Sequence, residues 1–355
     1  MINFAKNELF YTEAYDGSNN FKKALIKFGA TDLNANAPLM AFVINGNYTF
    51  DLSSILVNNP IFKQALPTLP TEFGFHTTDL VKSIEVLTAA LSSTVFASKT
   101  TLMVHNGKIP QQYFELFGQN YIKNYFSGQF LSNRKNSEIV SLTQPIFYHF
   151  ATTWDNLPTG IKLYARFGGR DFYTDPVYLH DDYASVVLNK IYFYSFSPSH
   201  LLDFYDGYQE VEHIDLFWVS DTQTFEQKRL IIDYNTPLDE VMLCFQNIFG
   251  VWETVRLEGE RKDKVDVKSE TAQIKNKTFT LDSEVRDSFS ITLGKHNSQH
   301  SKAIIQDLAF SDDIYMIQDQ QFVLLNKSFS SLESYTSTNQ YDNPTLEFYI
   351  SSINR

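Results

Sequence analysis

The chain has 355 residues, of which 43% are hydrophobic, 15% aromatic and 20% charged. Because one hydrophobic core seldom grows beyond about 250–300 residues, this length predicts two or three domains, and the composition excludes a wholly disordered chain. The 29 basic and 41 acidic residues give a formal net charge of −12. That sign opposes the binding of phosphate backbones, so we expect no nucleic-acid partner.

The one cysteine and the first residues of the chain indicate the cellular compartment in which the protein is made. Cys244 lies in an apolar run, which predicts a buried thiol and no intrachain disulfide. The first residues lack the basic region and apolar stretch of a signal peptide, and no segment approaches about 18 uninterrupted apolar residues. We therefore expect a protein that is made in a cytoplasm and has no membrane partner.

Residues 1–134 are predicted to form an N-terminal α+β domain that begins as a β meander. The segments ELFYTEAY, KKALIKFGA and PLMAFVINGNYTFDL are strand-like and alternate with turn residues. Within the third segment, Asn45 and Gly46 stand between apolar runs, which is the strongest short-range signal for a β-hairpin.

Two helices are predicted in the remainder of this domain. Apolar residues recur at helical spacing at four positions: Leu80, Ile84, Leu87 and Leu91. With Thr77 and Thr78 as candidate N-caps, this spacing predicts a helix over residues 77–95. A shorter helix is predicted after Pro110, since proline suits the first helical turn.

Residues 135–235 are predicted to form a β-sandwich of the immunoglobulin or fibronectin type. The strand-like segments IKLYARF, IYFYSFSP, IDLFWVSD and KRLIIDY follow one another with turn signals between them. The Cys–Trp–Cys spacing of true immunoglobulin domains is absent, so the strand topology stays open at this point.

Residues 236–355 are predicted to form a C-terminal β domain. Candidate strands cover residues 241–246, 252–257, 264–267, 278–281, 288–293, 322–325 and 345–350. The whole sequence thus predicts a mainly β protein with a minor helical part, in the α+β class. It predicts two or three domains that include β-sandwich modules.

No group of residues meets the standard of a catalytic or metal-binding motif, so we expect no catalytic residue, no metal and no cofactor. The triplet His180, Asp181 and Asp182 has the right ligand types, but three consecutive residues of a strand cannot all point inward. His296 and His300 are four positions apart, a spacing that is useful only on a helix, and their Ser and Asn neighbours indicate a turn.

Two loops contain residue types that are found in ligand sites. Residues 165–173, ARFGGRDFY, contain two glycines but lack the spacing of a phosphate loop, so we predict a β-turn there. Residues 203–210, DFYDGYQE, combine acids with tyrosines. The spacing of Asp203 and Asp206 does not match an EF-hand, which leaves a sugar-binding loop or an aromatic corner between strands.

The most unusual segment joins two strand-like runs through Asn-Ile-Phe-Gly-Val-Trp-Glu, residues 247–253. We predict a structural turn here. Gly250 supplies a positive φ, Phe249 and Trp252 bury their rings, and Asn247 and Glu253 satisfy backbone donors. Without a partner carboxylate nearby in sequence, Glu253 is not expected to act as a general acid or base.

Several segments resemble, in collinear order, a family of uncharacterised proteins from phages and prophages of Bacteroidetes. QNIFGVWETVRLEGE is similar to that family's N-x-[FY]-G-x-x-E signature. The other segments are FDLSSIL (residues 50–56), HNGKIP (105–110), FLSNRKNSEIVSLTQPIFYHF (130–150) and the C-terminal NKSFSSLESYTSTNQYDNPTLEFYISSIN.

The resemblance implies a non-enzymatic structural component of a virion tail, baseplate or neck. Such a protein is made in the host cytoplasm and assembles in many copies, for example as a ring. Its expected partners are other copies of itself and further tail or virion proteins. The family implies no catalytic residue and no cofactor.

Two rival functions remain open. One is a carbohydrate-binding or adhesion module that contacts a host surface glycan, suggested by aromatic rings beside acids in residues 203–210 and 154–156. The other is a hydrolase with paired carboxylates, for which no spacing in the sequence gives support.

Overall fold

A computed structural model describes residues 2–17, 19–57, 59–121, 129–134, 136–152, 162–179, 187–219, 224–235, 239–274, 277–293, 298–328 and 345–350. Side chains are described for these residues except 224–226, 266–286, 293 and 298–302. The described chain is dominated by β strands and contains a few short helices. The expected mainly β fold with a minor helical part is therefore confirmed.

The first nine strands belong to the predicted N-terminal domain. They are β1 Ile2–Phe4, β2 Phe10–Ala14, β3 Phe21–Phe28, β4 Thr31–Asp32, β5 Leu39–Ile44, β6 Asn47–Asp51, β7 Gly74–Thr77, β8 Val81–Ala90 and β9 Ala97–His105. All except β7 form one sheet in the order β1-β9-β8-β3-β5-β6-β2, with β4 paired to β3. The segment also holds helices α1 Ser53–Leu56 and α2 Gln111–Phe117.

Two local predictions in this part of the chain are confirmed. Strands β5 and β6 form an antiparallel hairpin in which Val43 pairs with Tyr48. Asn45 and Gly46 have φ values of 50° and 76°, which the Asn-Gly pair tolerates and a two-residue hairpin turn requires. The helix expected after Pro110 is α2, with Pro110 as its N-cap.

The helix predicted over residues 77–95 is wrong, because the chain forms β8 there. Strand β8 pairs with β3 on one side and with β9 on the other. Ile84 and Val86 are fully buried in the core, while Leu87 is nearly buried on the opposite face. A strand that buries residues on both faces can imitate helical spacing, and the β-branched residues of this segment fit a strand.

The middle part contains the next eight strands and helix α3. They are β10 Ser137–Ser141, β11 Ile146–Ala151, β12 Lys162–Gly169, β13 Phe172–Tyr173, β14 Val177–Tyr178, β15 Ile191–Phe196, α3 Pro198–Leu202, β16 His213–Val219 and β17 Thr224–Asp233. One sheet has the order β10-β17-β16-β12-β13, with β14 paired to β12, and a smaller sheet has the order β11-β15-β7.

These two sheets form a β-sandwich with immunoglobulin-like connections. They share one core, to which the smaller sheet contributes Phe150 and Tyr194 and the larger sheet Phe167 and Trp218. Strands β12, β16 and β17 occupy the places of strands C, F and G, and β11 and β15 those of B and E. The predicted sandwich is thereby confirmed, and its topology is now defined.

Strand β7 lies in the sandwich although it precedes residue 135. It pairs with β15, with Phe75 opposite Tyr194. The Phe75 ring lies 5.6 Å from that of Tyr192 and 5.1 Å from that of Tyr194, measured between centroids. The middle sandwich is therefore completed by a strand from the N-terminal segment, which the boundary at residue 135 does not allow for.

The last part forms one seven-stranded sheet and helix α4. Its elements are β18 Val241–Gln246, β19 Trp252–Leu257, β20 Gly259–Ile274, β21 Lys277–Leu293, α4 Ser298–Phe310, β22 Ile314–Gln318, β23 Gln321–Lys327 and β24 Thr345–Ile350. The strand order is β19-β18-β22-β23-β24-β21-β20. Ile304 and Leu308 of α4 pack on the sheet core, and this helix was not predicted.

No helix in the described part of the chain is both long and apolar enough to cross a membrane.

The position of Phe75 leads to a prediction about stability. Phe75→Ala should lower the free energy of unfolding by roughly 2 kcal/mol or more, because it removes a ring from the sandwich core. Urea unfolding followed by tryptophan fluorescence would measure this, since Trp218 lies in that core. Leu116→Ala is the control: Leu116 is 73% exposed, so a change within about 0.5 kcal/mol is expected. Equal effects of both variants would contradict the role of β7.

Candidate functional site

The segment 247–253 forms the turn of the β18–β19 hairpin. The Asn247 amide donates to the Val251 carbonyl at 2.9 Å, and the Gly250 amide donates to the Asn247 carbonyl at 2.8 Å. Gly250 has a φ of 73°, a conformation that L side chains disfavour. The structure buries both aromatic residues of the predicted turn, Phe249 and Trp252.

This turn contacts the loop that follows β9 so closely that both sides require glycine. A Cβ added to Gly250 would lie 2.4 Å from the Asn106 carbonyl oxygen, and one added to Gly107 would lie 2.0 Å from that of Phe249. The Lys108 amide donates to the Ile248 carbonyl at 2.8 Å. Two backbones that are distant in sequence therefore lie in direct contact.

His105, the last residue of β9, stabilises the same contact between the turn and the loop. Its Nε2 lies 2.7 Å from the Phe249 carbonyl oxygen and its Nδ1 3.3 Å from that of Leu80. Burial lowers the pKa of His105 to about 4, so the ring is neutral near pH 7 and carries one N–H. The shorter distance assigns that hydrogen to Nε2, which donates to Phe249.

A second segment of the N-terminal part contacts the other side of the turn. The Trp252 Nε1 donates to the Ala65 carbonyl at 2.9 Å, and the Gln64 side-chain amide donates to the Gly250 carbonyl. Trp252 also packs with Phe147 of the middle sandwich and Cys244 of the last sheet. The turn is thus a junction at which all three parts of the chain meet.

Glu253 carries the polar part of this junction. Its Oε1 accepts from Arg134 Nε at 2.5 Å and from the Ser132 hydroxyl at 2.7 Å. Its Oε2 accepts from Asn247 Nδ2 at 2.9 Å, and the same amide donates to the Leu131 carbonyl at 2.7 Å. The Glu253 carboxylate is therefore satisfied on both oxygens.

Arg134 joins this carboxylate to a second one. Its Nη1 lies 3.0 Å from Glu138 Oε2, and Lys228 Nζ donates to the Arg134 carbonyl at 3.4 Å. Burial alone would raise the pKa of Glu253, but the Arg134 charge and the hydrogen bonds from Ser132 and Asn247 outweigh it and lower that pKa. Glu253 is consequently held as a carboxylate.

Asp307 of α4 completes the set of buried acids. Its Oδ1 accepts from the Ile248 amide at 3.1 Å and from Asn133 Nδ2 at 3.5 Å. The residue is 1% exposed, and burial together with the Glu253 charge raises its pKa to about 7. Asp307 therefore changes protonation near neutral pH, whereas Glu253 does not.

Glu253 and Asp307 are bound by protein groups and shielded from solvent. A general acid or base must reach the atom from which it takes a proton, and Glu253 and Asp307 are 2% and 1% exposed. Sequence reasoning missed Arg134, Glu138 and Asp307 as members of the site. Arg134 and Glu138 lie more than 100 residues away from Glu253 and Asp307 in the chain, and only the folded topology brings the four together.

A cavity lies beside the turn, with a volume of about 430 Å³. Its walls include Trp252, Phe193 and His149, and residues 61–68 cover one side. Burial lowers the pKa of His149 to about 3. The one acidic residue of the lining is Asp79, and it is paired with Lys82, so no two carboxylates face each other there.

The other sequence candidates stay separate from this junction. His180, Asp181, Asp182 and His296 lie outside the described residues, as do residues 154–156. The turn expected at His300 is wrong, because that residue lies in α4. Among the residues that the structure describes, no three His, Cys, Asp or Glu side chains are grouped so that they could hold a metal.

The two loops have different structures. In residues 165–173, Gly168 pairs with Tyr173 across β12 and β13, which is the expected tight β-turn. In residues 203–210, the Tyr205 ring lies 5.3 Å from that of Phe167, whereas Tyr208 is fully exposed. This loop is anchored by one tyrosine and presents another to solvent.

The close approach at Gly250 gives a second prediction. Gly250→Ala should destabilise the protein more than Gly46→Ala, which also places alanine at a positive φ of 76° but meets no atom within 4 Å. We expect about 1–2 kcal/mol for the control from its backbone alone, and a further 1–3 kcal/mol or so for Gly250→Ala from the clash. Melting curves would show this, and equal losses would contradict the proposed contact.

Asp307 gives a prediction about pH. Its pKa is about 7 in the fold and near 4 in an unfolded chain, so the folded state binds its proton more tightly. That contribution to stability is fully present below pH 4 and is lost as the pH rises through 7. Its size is on the order of 4 kcal/mol, from roughly three pKa units at 1.36 kcal/mol each.

Asp307→Asn should therefore reduce the loss of stability between pH 5 and pH 8, because an amide cannot ionise and still accepts from Ile248. Urea unfolding at both pH values measures the loss. Asp312→Asn is the control, since the Asp312 side chain is 79% exposed, and it should leave the wild-type pH dependence unchanged. The same slope in Asp307→Asn and wild type would refute this account.

Comparison with known proteins gives no family for this chain. No protein-family model matches it, and no curated protein matches it. Among solved structures it is similar to Drosophila OTK extracellular domains 3–5, at 7% identity over 82% of this chain and 89% of that chain, with a TM-score of 0.27. It is also similar to the Plexin A4 extracellular region, at 8% identity over 100% of this chain and 36% of that chain, with a TM-score of 0.20. Scores this low carry no argument about function.

Proposed function

We propose that this protein is a non-enzymatic structural component of a phage tail, baseplate or neck that assembles in multiple copies as a ring. The resemblance of its sequence segments to virion proteins of Bacteroidetes phages is the starting point. The buried acids Glu253 and Asp307 bind residues that are remote in sequence, and such contacts are typical of a structural protein.

The observation that carries the proposal is an exposed apolar face on the N-terminal sheet. Met40, Phe42 and Ile44 of β5 are each more than half exposed, and Phe21 of β3 is half exposed. Phe21 pairs with Phe42 in the sheet, and their ring centroids are 6.5 Å apart. Contiguous apolar surface on a soluble protein commonly marks a contact with another protein.

A carbohydrate-binding or adhesion role is the second candidate. It is favoured by Tyr208, whose ring is fully exposed between Asp206 and Glu210. Sugars stack on such rings and form hydrogen bonds to neighbouring carboxylates. This role requires binding by the single chain and no assembly.

Light scattering across a concentration series, followed by electron microscopy, separates the two candidates. We expect a closed species of defined copy number for the structural component. A strict monomer that binds a glycan, with the binding abolished by Tyr208→Ala and retained by Tyr15→Ala, would instead establish the adhesion role. Tyr15 is also exposed but lies outside the loop.

A further inference from the structure

The outer face of the larger sandwich sheet carries alternating aromatic and cationic side chains. We call it the cation–aromatic face; its members are Lys162, Tyr164, Arg166, Tyr173, Tyr178 and Phe217. The rings of Tyr164 and Phe217 are stacked at 5.5 Å, and that of Tyr178 lies 4.3 Å from Tyr164. Lys162 Nζ lies 4.7 Å from the Tyr178 centroid.

Arg166 forms no ion pair with any acid that the structure describes. It stands opposite Asp215 in the β12–β16 register, but Arg229 binds Asp215 with two contacts of 2.7 Å, and the Tyr173 hydroxyl donates to it at 2.6 Å. Arg166 instead lies over the Tyr173 and Phe217 rings, at 5.6 and 5.3 Å. Its Nε is buried without a hydrogen-bond partner, and no acid of the described residues forms an ion pair with it.

The cation–aromatic face is positively charged, whereas the segment that contains it, residues 135–235, is acidic as a whole. Residues 1–134 contain 10 basic and 9 acidic residues, whereas residues 135–235 contain 7 basic and 14 acidic ones. Three of those seven bases, Lys162, Arg166 and Arg229, lie on the outer side of this one sheet. Asp215 also lies on this side of the sheet, where Arg229 binds it, and further acids of the segment lie outside the sheet.

Part of that acidic charge lies in the loop at residues 203–212, between α3 and β16. The loop has four exposed acids and no basic residue: Asp203, Asp206, Glu210 and Glu212. No base among the described residues forms an ion pair with them. The loop base is fixed, since Tyr234 donates to the Val211 carbonyl at 2.7 Å, so the acids project from an ordered support.

We propose that the acidic loop 203–212 of one copy docks on the cation–aromatic face of the next copy. The inference rests on the proposed multi-copy assembly and names a contact within it. Arg166 is the principal cation that binds the incoming carboxylates, which accept hydrogen bonds from it, and the flanking rings pack against Tyr208. Two different surfaces of the same chain meet in this contact, and such a head-to-tail contact forms a ring when the rotation between copies closes.

Charge complementarity favours the contact between the acidic loop and the cation–aromatic face over a contact between two identical surfaces. Two cation–aromatic faces that met each other would oppose like charges, and so would two acidic loops. Because the contact is electrostatic and partly exposed, high salt should weaken it.

The test uses light scattering on the full chain with a face variant, Arg166→Glu, and a loop variant that combines Asp206→Lys with Glu210→Lys. Each should weaken self-association about tenfold or more, since one well-placed charge pair is worth at least a factor of this size. The control combines Glu8→Lys with Glu115→Lys, which shifts the net charge as much as the loop variant does, and it should assemble like wild type. Circular dichroism checks that each variant is folded. If Arg166→Glu does not fold, the loop variant still tests the contact, because Asp206 and Glu210 are exposed.

Mixing the variants makes the test specific. Each variant keeps one intact surface, so an equimolar mixture should regain association through the loop of the face variant and the face of the loop variant, which neither variant shows alone. A mixture that stays monomeric would overturn the proposed contact. If the face variant and the loop variant each had the mass of the wild-type assembly, the proposed contact would be overturned and the ring would stand. If wild-type protein were monomeric at every concentration, the ring itself would be overturned.

Discussion

The ion pair between Arg134 and Glu253 is the interaction on which the rest of this structure depends. Arg134 is the last residue of the predicted N-terminal domain, and Glu253 is the second residue of β19 in the last sheet. Both side chains are nearly inaccessible to water, and a buried charge without its partner destabilises a protein by several kcal/mol. The fold can therefore bury either residue only by bringing these two distant segments together.

The geometry around this pair explains why the junction has one arrangement. Hydrogen bonds and ion pairs are directional, so each donor to Glu253 fixes an angle as well as a distance. The backbone contact between Gly107 and Phe249 adds a steric limit on the same side. Apolar packing around Trp252 would tolerate some sliding of the parts, but the polar contacts would not.

Local sequence signals predicted the elements whose causes are local. The Asn45–Gly46 hairpin is specified by two adjacent residues that accept positive φ, and proline 110 marks the start of α2. The prediction over residues 77–95 was wrong because periodicity cannot distinguish an amphipathic helix from a strand buried on both faces. The participation of β7 in the sandwich, and of Asp307 in the junction, depends on pairing across long stretches of chain, which no local pattern reports.

The turn at residues 247–253 shows which properties of the site could be predicted from the sequence. Its composition predicted a structural role, since glycine, buried rings and short polar side chains suit a strained turn. What it could not predict is that the turn binds other segments, because its partners at residues 64–65, 105–108, 131–134 and 307 are remote in sequence. A rigid junction of this kind matters for the proposed assembly, since surfaces on different parts of a subunit can meet their neighbours repeatedly only if their relative orientation is fixed.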